Sequence, residues 1–556
     1  MQRRKFIRQV SLAVPALFTS RALGAWPSFL SAGATGQVLI IGAGSAGLYA
    51  ARQLADQGIS VTILEASSQH GGRVSPLDGF ADFHVEAGAE FVHGKGNTTG
   101  DPPSFLWSSI NDYNSDLLQE YGAYKEIYDV SGVPKLSPPY WDMQLEQCWQ
   151  FYLDMYTYSG PDVLMSDYLF DTYGIDESHP YWHFYEAWIG AEFGTSIKRI
   201  GMNSIAISEL LWKTGSKDFL LDTGYRDLLD TLFFGPVLSD IQYNKVVTGI
   251  DTGGDQVSVQ CEDGSVFTAD KVIVTVPLTI LKQNSITFEP PLPALKTSAI
   301  EIIGMDAGMK IFLKFSENFW GDDVQDITID GYSTFIWAPG MGKTGATDHV
   351  LVCFVMGERA EYLSSLDAGA IDVVMSELDS LFDGAASPLL LDHFIQDWAT
   401  EPFIGGAYSY PSPGTYMSES ESARIDLADP VDCKLFFAGE ATSLQHPATV
   451  HGALESGARV AEEVLACPFP TDLNSPQYQD FQAYYENGLI YVEWLPFFTA
   501  GEELMLVNAQ GQMVGKWPID NSRSSSELDV RHLPRGVYIL YLINGAKRNS
   551  RLLIFS

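Results

Sequence analysis

The order of apolar and polar positions divides this chain into elements of two kinds. Val38-Leu39-Ile40-Ile41 is wholly apolar, as expected of a strand covered on both faces. A helix is predicted over Ala46–Gln57, ended by Gly58, and a second strand stops at the acidic Glu65. From Gly224 onward the pattern alternates with turns. Asn244–Ile250, Gln256–Cys261 and Lys271–Pro277 (KVIVTVP) predict a β-meander ending beside the first strand's loop. Gly308–Phe315, Ser333–Ala338 and His349–Phe354 predict a further sheet, with a helix over Asp367–Phe382 lying across it. Leu435–Gly439 predicts a last strand and Gly452–Leu465 a closing helix. Between these blocks, Asp101–Trp212 is rich in Tyr, Trp and acidic residues, with helical stretches such as Trp182–Phe193, and suits a wall and lid.

Beyond Cys467-Pro468 the character changes to short strands and turns through Leu489–Ser556. This predicts an all-β sandwich of roughly 70–85 residues, a size that can stand alone. The fold class is α/β (α+β), with two domains interleaved along the chain. A nucleotide-binding domain takes residues 36–100, 215–300 and 420–466, and a sheet-plus-helices substrate domain takes 101–214 and 301–419. A C-terminal β domain takes 475–556 and an export signal 1–30.

Composition narrows the partners. Lys and Arg total 33 against 70 Asp and Glu, a net charge of -37, which excludes nucleic acid. Such acidity fits either a polycationic substrate or solubility in a salty milieu. Arg3-Arg4-Lys5-Phe6-Ile7-Arg8, a short apolar stretch Val10–Phe18 and small residues near Ala22–Ala25 resemble a twin-arginine export signal. This implies the twin-arginine machinery as a partner and a periplasmic, secreted or cell-surface location in a bacterium. The five cysteines show no C-x-x-C or metal spacing, so no metal is expected; buried, inert thiols are the default and any pairing stays open.

The chemistry begins at Gly42, Gly44 and Gly47, a G-x-G-x-x-G between an apolar strand and a helix. Glycines there allow a tight turn, close approach of a pyrophosphate and packing of helix on strand. Ser45 and Ala46 open the helix toward the phosphates. Glu65, followed by Ala66, places a carboxylate where it can accept ribose hydroxyls.

Gly71-Gly72-Arg73 then resembles the extension of the glutathione-reductase-like flavoproteins, which implies FAD rather than NAD. With three further blocks, residues Gln37–Leu465 resemble the flavin-dependent amine oxidases, the polyamine oxidases and histone-lysine demethylases being the nearest branch. In Glu86–Gly94 the resemblance places Gly88, Ala89 and Glu90 at the flavin edge, glycine leaving room for its approach, and His93 on the substrate channel. Gly308–Phe315 with Phe319-Trp320 places Lys310 at a water on flavin N5, a desolvated lysine able to organise proton traffic or oxygen reaction. Phe437–Gly457 (FAGEATSLQHPATVHGALESG) places Gly439 and Glu440 at a ribityl or backbone group. Thr449 and Val450 open a helix toward flavin N1/O2, and His446 is a candidate substrate contact. Trp398–Tyr410 makes Tyr408 an aromatic wall, and Ala407 at the covalent-cysteine position implies non-covalent FAD. Thr449 replaces the partner aromatic. Val247 fits a contact to adenine, and Glu192 an acidic residue of the substrate tunnel.

The resemblance implies hydride transfer from an amine to flavin N5, imine hydrolysis, and reoxidation by O2 to H2O2, with polyamines as the leading substrates. No arginine follows Gly88-Ala89 to seat an amino-acid carboxylate; Glu90-Phe91 stand there. Monoamine and L-amino-acid oxidation remain alternatives, as do a non-catalytic flavin-fold scaffold and a lipid or pigment desaturase. LVNAQGQMV, LDVRHLPRGVYIL and the Arg551–Ile554 strand resemble a type IX secretion sorting domain, the alternative being a plain appended module. The usual opening Asn-Pro turn is missing.

Overall fold

The computed structural model describes residues 36–469, except 98, 99, 123 and 216, and then the strand segments of 481–555 together with 530–534. The expected export signal lies outside these residues. Contacts divide the chain into two units at Phe469/Pro470.

In the first unit, β1 (Gln37–Ile41), α1 (Ser45–Asp56) and β2 (Ser60–Leu64) form the predicted strand–helix–strand unit. Three more strands complete a five-stranded parallel sheet: β3 (Ile241–Gln242), β4 (Lys271–Val274) and β5 (Leu435–Phe437), in the order β5-β4-β1-β2-β3. Its centre is entirely apolar. Ile40 stands opposite Ile63 on one side and Ile273 on the other, all buried. Helix α2 (Val450–Ala466) packs directly on α1, and a Cβ on its Gly457 would lie 2.5 Å from the Ala46 carbonyl oxygen.

The meander expected over Asn244–Pro277 divides in two. Val247–Asp251, Val257–Cys261 and Val266–Ala269 form the antiparallel ladder, which Thr287–Glu289 joins in parallel. Lys271–Val274 leaves it for the parallel sheet. All four of its residues are buried, so it needs cover on both faces, which the half-exposed ladder does not provide.

The second layer is a seven-stranded sheet with Gly308–Phe315 between Leu390–Asp397 and His349–Met356. Alternation along Gly308–Phe315 decides what lies on each side. Met309, Ile311, Leu313 and Phe315 join the core shared with helix Ala370–Leu381, so Lys310 and Phe312 face the other way. The helix expected over Trp182–Phe193 holds only through Tyr185 and then widens into a π turn, Glu186–Gly190. Buried Glu186 accepts the Ser196 hydroxyl at 2.8 Å and pairs with Arg359 at 3.2 Å, holding the wide turn in place.

Cys433 and Cys467 form a disulfide rather than remaining inert thiols, whereas Cys148, Cys261 and Cys353 are free and buried. The bridge ties the end of α2 to the turn before β5. Its 34-residue separation implies that a double serine variant loses about 3–4 kcal/mol, read as a lower urea midpoint. Among the described residues no helix is long and apolar enough to cross a membrane. Among its described residues, the second unit forms two antiparallel sheets, of three and four strands. Ile490, Val492, Leu504, Leu506, Leu528 and Leu540 form its core.

Candidate active site

A cavity of about 590 Å³ begins at the glycine loop after β1 and extends to the aromatic wall region. Each glycine has a distinct role. A Cβ at Gly47 would lie 2.1 Å from the Gly42 carbonyl oxygen, so this glycine serves helix–strand packing and stays off the cavity wall. A Cβ at Gly44 would meet nothing within 4 Å and would project into open space on that wall. Gly44 also caps α1 with no side-chain hydrogen bond, leaving the helix N–H groups for an anionic ligand. Glu65 steadies the loop, accepting from Ala43 N at 2.7 Å and Ser67 N at 2.9 Å. One N–H on each oxygen leaves acceptor capacity for ribose hydroxyls. Val247 and Ala66 line the same end. These residues fit an extended dinucleotide.

The middle of the cavity is organised by a carboxylate. Glu440 accepts from Arg73 Nη1 at 3.0 Å and Ser409 N at 3.2 Å on one oxygen, and from Ser409 Oγ at 2.7 Å and Ala448 N at 2.9 Å on the other. Burial acts to raise its pKa, but Arg73, Arg424 and these donors outweigh it and hold the carboxyl below its ordinary value. Four donors fill its acceptor sites. The expected ribityl contact is therefore not available; of the two roles foreseen for Glu440, only backbone binding remains. Arg73 also donates to the Ala407 carbonyl at 2.8 Å, which fixes its guanidinium between that carbonyl and Glu440. Ser409 and fully buried Arg424, whose Nη1 donates to Ser409 Oγ at 2.8 Å, were not foreseen.

Helix α2 starts where expected. Thr449 is its N-cap: the hydroxyl accepts from Gly452 N at 3.0 Å and donates to the His446 carbonyl at 2.8 Å. Committed on both sides, it positions the helix and is not itself a catalytic group. Val450 and Gly439 line the cavity beside it. His446 does not reach the cavity, contrary to expectation. It is buried, its Nδ1 2.7 Å from Glu455, with its ring 4.6 Å from that of His451. Between it and the helix start, Ala448 turns the backbone into the left-handed region (φ 62°).

At the far end, Tyr408 lines the cavity. Its hydroxyl donates to the Ala191 carbonyl at 2.9 Å, at the end of the widened turn, and burial with Glu192 and Glu440 nearby pushes its pKa up. Glu192 lines the same end. His93 also lines the cavity. The antiparallel pairing of Val92–His93 with Asp218–Leu221 sets its Nδ1 2.5 Å from Asp218 Oδ1. Trp212 stands edge-on to the ring at 6.1 Å. Nothing in the sequence signalled Asp218, because the pair spans 125 residues.

Two expectations at the Gly88 segment change. A Cβ on Gly88 would lie 2.0 Å from the Arg73 carbonyl oxygen, so tight backbone packing demands this glycine, not clearance for a ligand. Lys310 is buried but is not a lone desolvated lysine. Its ammonium donates to the Glu86 carbonyl at 3.0 Å, the Gly88 carbonyl at 2.9 Å and Glu90 Oε2 at 2.9 Å. Three donors meet three protein acceptors, so no N–H is left for the expected water. Glu90 enters the site through its side chain, while Ala89 lines the wall.

The chain matches the family of flavin containing amine oxidoreductases over residues 45–465, and that of the secretion system C-terminal sorting domain over 487–556. Lysine-specific histone demethylase 2 of Homo sapiens is 31% identical over 457 residues, covering 77% of this chain and 53% of that protein. Polyamine oxidase 4 of Oryza sativa subsp. japonica is 30% identical over 457 residues, covering 77% and 88%. The chain thus spans about half the length of the human demethylase. Wild-type putrescine oxidase bound to putrescine shares the fold, with a TM-score of 0.61, 18% identity, and 78% and 99% of the two chains covered.

Proposed function

We propose that this chain, which belongs to the flavin-containing amine oxidoreductases, oxidises a diamine or polyamine. The observation that carries the reading is how charge is distributed along the cavity. Arg226, beside Gly71, and Lys245, whose N–H donates to the Glu65 carbonyl, line its nucleotide end, whereas Glu192, whose carbonyl accepts from the Tyr408 hydroxyl, and Asp218, at His93, line its substrate end. A dinucleotide phosphate matches the first end and a substrate carrying a second ammonium matches the other.

The cofactor is FAD, held by the Gly44 loop, the α1 N-terminus and Glu65, with Arg73 at the pyrophosphate side. When bound, it supplies the two-electron oxidation of the amine α-carbon and the return of those electrons to O2. Ala407 offers no nucleophile, in keeping with non-covalent binding. The chain's residues do the rest. The N-terminus of α2 presents its positive dipole to the cavity, held there by the Thr449 cap. Tyr408, anchored on Ala191, narrows the slot and orients the amine. Asp218 fixes the His93 ring so that its other nitrogen is available to an N–H of the substrate. Water then hydrolyses the imine, to an aminoaldehyde and ammonia from a diamine, or to an aldehyde and a shorter amine from the secondary nitrogen of a polyamine.

Anaerobic mixing with putrescine, spermidine and benzylamine, followed at the visible flavin band, tests this directly. Bleaching by the diamine and polyamine, with peroxide on readmission of air, is expected; bleaching by none of them overturns it. Asp218→Asn and Glu192→Gln are each expected to raise the KM for putrescine about tenfold, roughly 1.4 kcal/mol, and to leave that for benzylamine little changed. We further infer that the enzyme acts outside the cytoplasm. The sorting-domain match supports this, with Arg3-Arg4 as the twin-arginine export element and the C-terminal unit as the address for a type IX-like route.

A further inference from the structure

Lys310 and Glu90 form an ion pair within the cavity wall, with both side chains about nineteen-twentieths buried. The pair is enclosed. Lys310 Nζ lies 5.2 Å from the Trp337 ring centroid, and Glu90 Oε1 is sealed from solvent without a hydrogen bond. Other titratable groups pack behind it. Glu86 accepts from Tyr225 N at 2.7 Å and stands 2.7 Å from His84 Nε2. Lys343 donates to the His84 carbonyl at 2.6 Å, and the Tyr121 hydroxyl binds Asp326. Among the described residues, Glu90 alone places a carboxylate on the Lys310 ammonium.

We propose that Glu90 sets the charge of the reacting face: it pins Lys310 against the Glu86 and Gly88 carbonyls and cancels its charge, so that a cationic amine meets a neutral wall. Its effect on the substrate rests on the amine reading above; its effect on the flavin does not. Glu90 is thus a positioning residue acting through Lys310. An uncompensated lysine in this low-dielectric wall would repel an ammonium and stabilise added electrons on a neighbouring flavin. Glu90 exchanges no proton or electron in this role.

The test uses the full-length, FAD-loaded protein. In Glu90→Gln the amide oxygen keeps a hydrogen bond to Lys310 but the countercharge is gone. Equilibration with a reference dye should show the oxidised/reduced flavin ratio shifted about tenfold or more toward reduced, about 30 mV upward for two electrons. The KM for putrescine should rise about tenfold, with kcat less affected. In the double variant Lys310→Met/Glu90→Gln both charges are absent, and the ratio should return to within about threefold of wild type. A merely structural role would not reverse in this way. An unchanged potential in Glu90→Gln overturns the proposal. Where that variant fails to hold flavin, the double variant decides, and a shift of tenfold or more there overturns it as well. A wild-type protein reduced by no amine refutes the proposed function instead, while the dye measurement still reports on the charge.

Discussion

Replacing Glu440 with alanine is expected to cost about 3–5 kcal/mol of stability and to leave the purified protein colourless. Glu440 is 6% exposed and is the acceptor that joins Arg73, Ser409 and the backbone at Ala448. Its loss leaves Arg73 without its carboxylate, and the electrostatic partner of buried Arg424 disappears. Arg424 is the more serious case. It is 0% exposed, and its Nε and Nη2 have no hydrogen-bond partner, so nearby negative charge is what offsets its desolvation. The flavin should go too, because Arg73 and the start of α2 both take their position from this carboxylate. The pH dependence follows from the direction of the shift. A carboxyl held below its ordinary value stabilises the fold above its unfolded pKa of about 4.3 and loses that contribution as pH falls through the lower folded value. Wild type should therefore lose stability below about pH 4, with a flatter acid limb in Glu440→Gln. Urea midpoints from pH 3 to 7 and the visible-to-ultraviolet absorbance ratio check both effects. A yellow Glu440→Ala protein with a wild-type midpoint would remove Glu440 from the centre of the site.

Two alanine substitutions three residues apart should fail in different ways. At Gly47 the new Cβ would lie 2.1 Å from the Gly42 carbonyl and 2.8 Å from Thr275 Oγ1. Backbone cannot yield as a side chain does, so α1 must move off β1, at the upper end of the roughly 1–3 kcal/mol typical of overpacking. Both stability and flavin should be lost. At Gly44 the Cβ meets no protein atom, so the urea midpoint should stay within about 0.5 kcal/mol of wild type. Flavin affinity should nevertheless fall at least about tenfold, because that space is where a pyrophosphate reaches the helix N–H groups. Denaturation of the apoproteins alongside flavin titration separates the two outcomes. Equal flavin retention by both variants would contradict the assignment of the loop.

Much of the site was legible because its signals are local. The run from Val38 to Glu65 carries its apolar strands, its glycines and its acidic stop within one continuous segment, and the structure reproduces it almost residue for residue. The same holds for α2, whose cap Thr449 and partner Gly452 are three residues apart. Alternation marked Gly308–Phe315 as a strand, and the structure turns Lys310 to the face opposite the helix-covered core. The family match over residues 45–465 agrees with the resemblance carried by the motifs.

What the sequence determined by itself was therefore the set of elements, the family and the cofactor. What only the tertiary structure decided was which side chains meet. Lys310 and Glu90 stand 220 residues apart, Arg73 and Glu440 367, and His93 and Asp218 125. Each pairing changes a role: a lysine with no N–H left to give, a carboxylate with no acceptor left to offer, a histidine with a fixed orientation. Periodicity and capping act over one or two turns of chain, whereas hydrogen-bond saturation depends on every group that folding brings within about 3 Å. A motif can name the residue, but its chemistry follows from partners that no local pattern encodes.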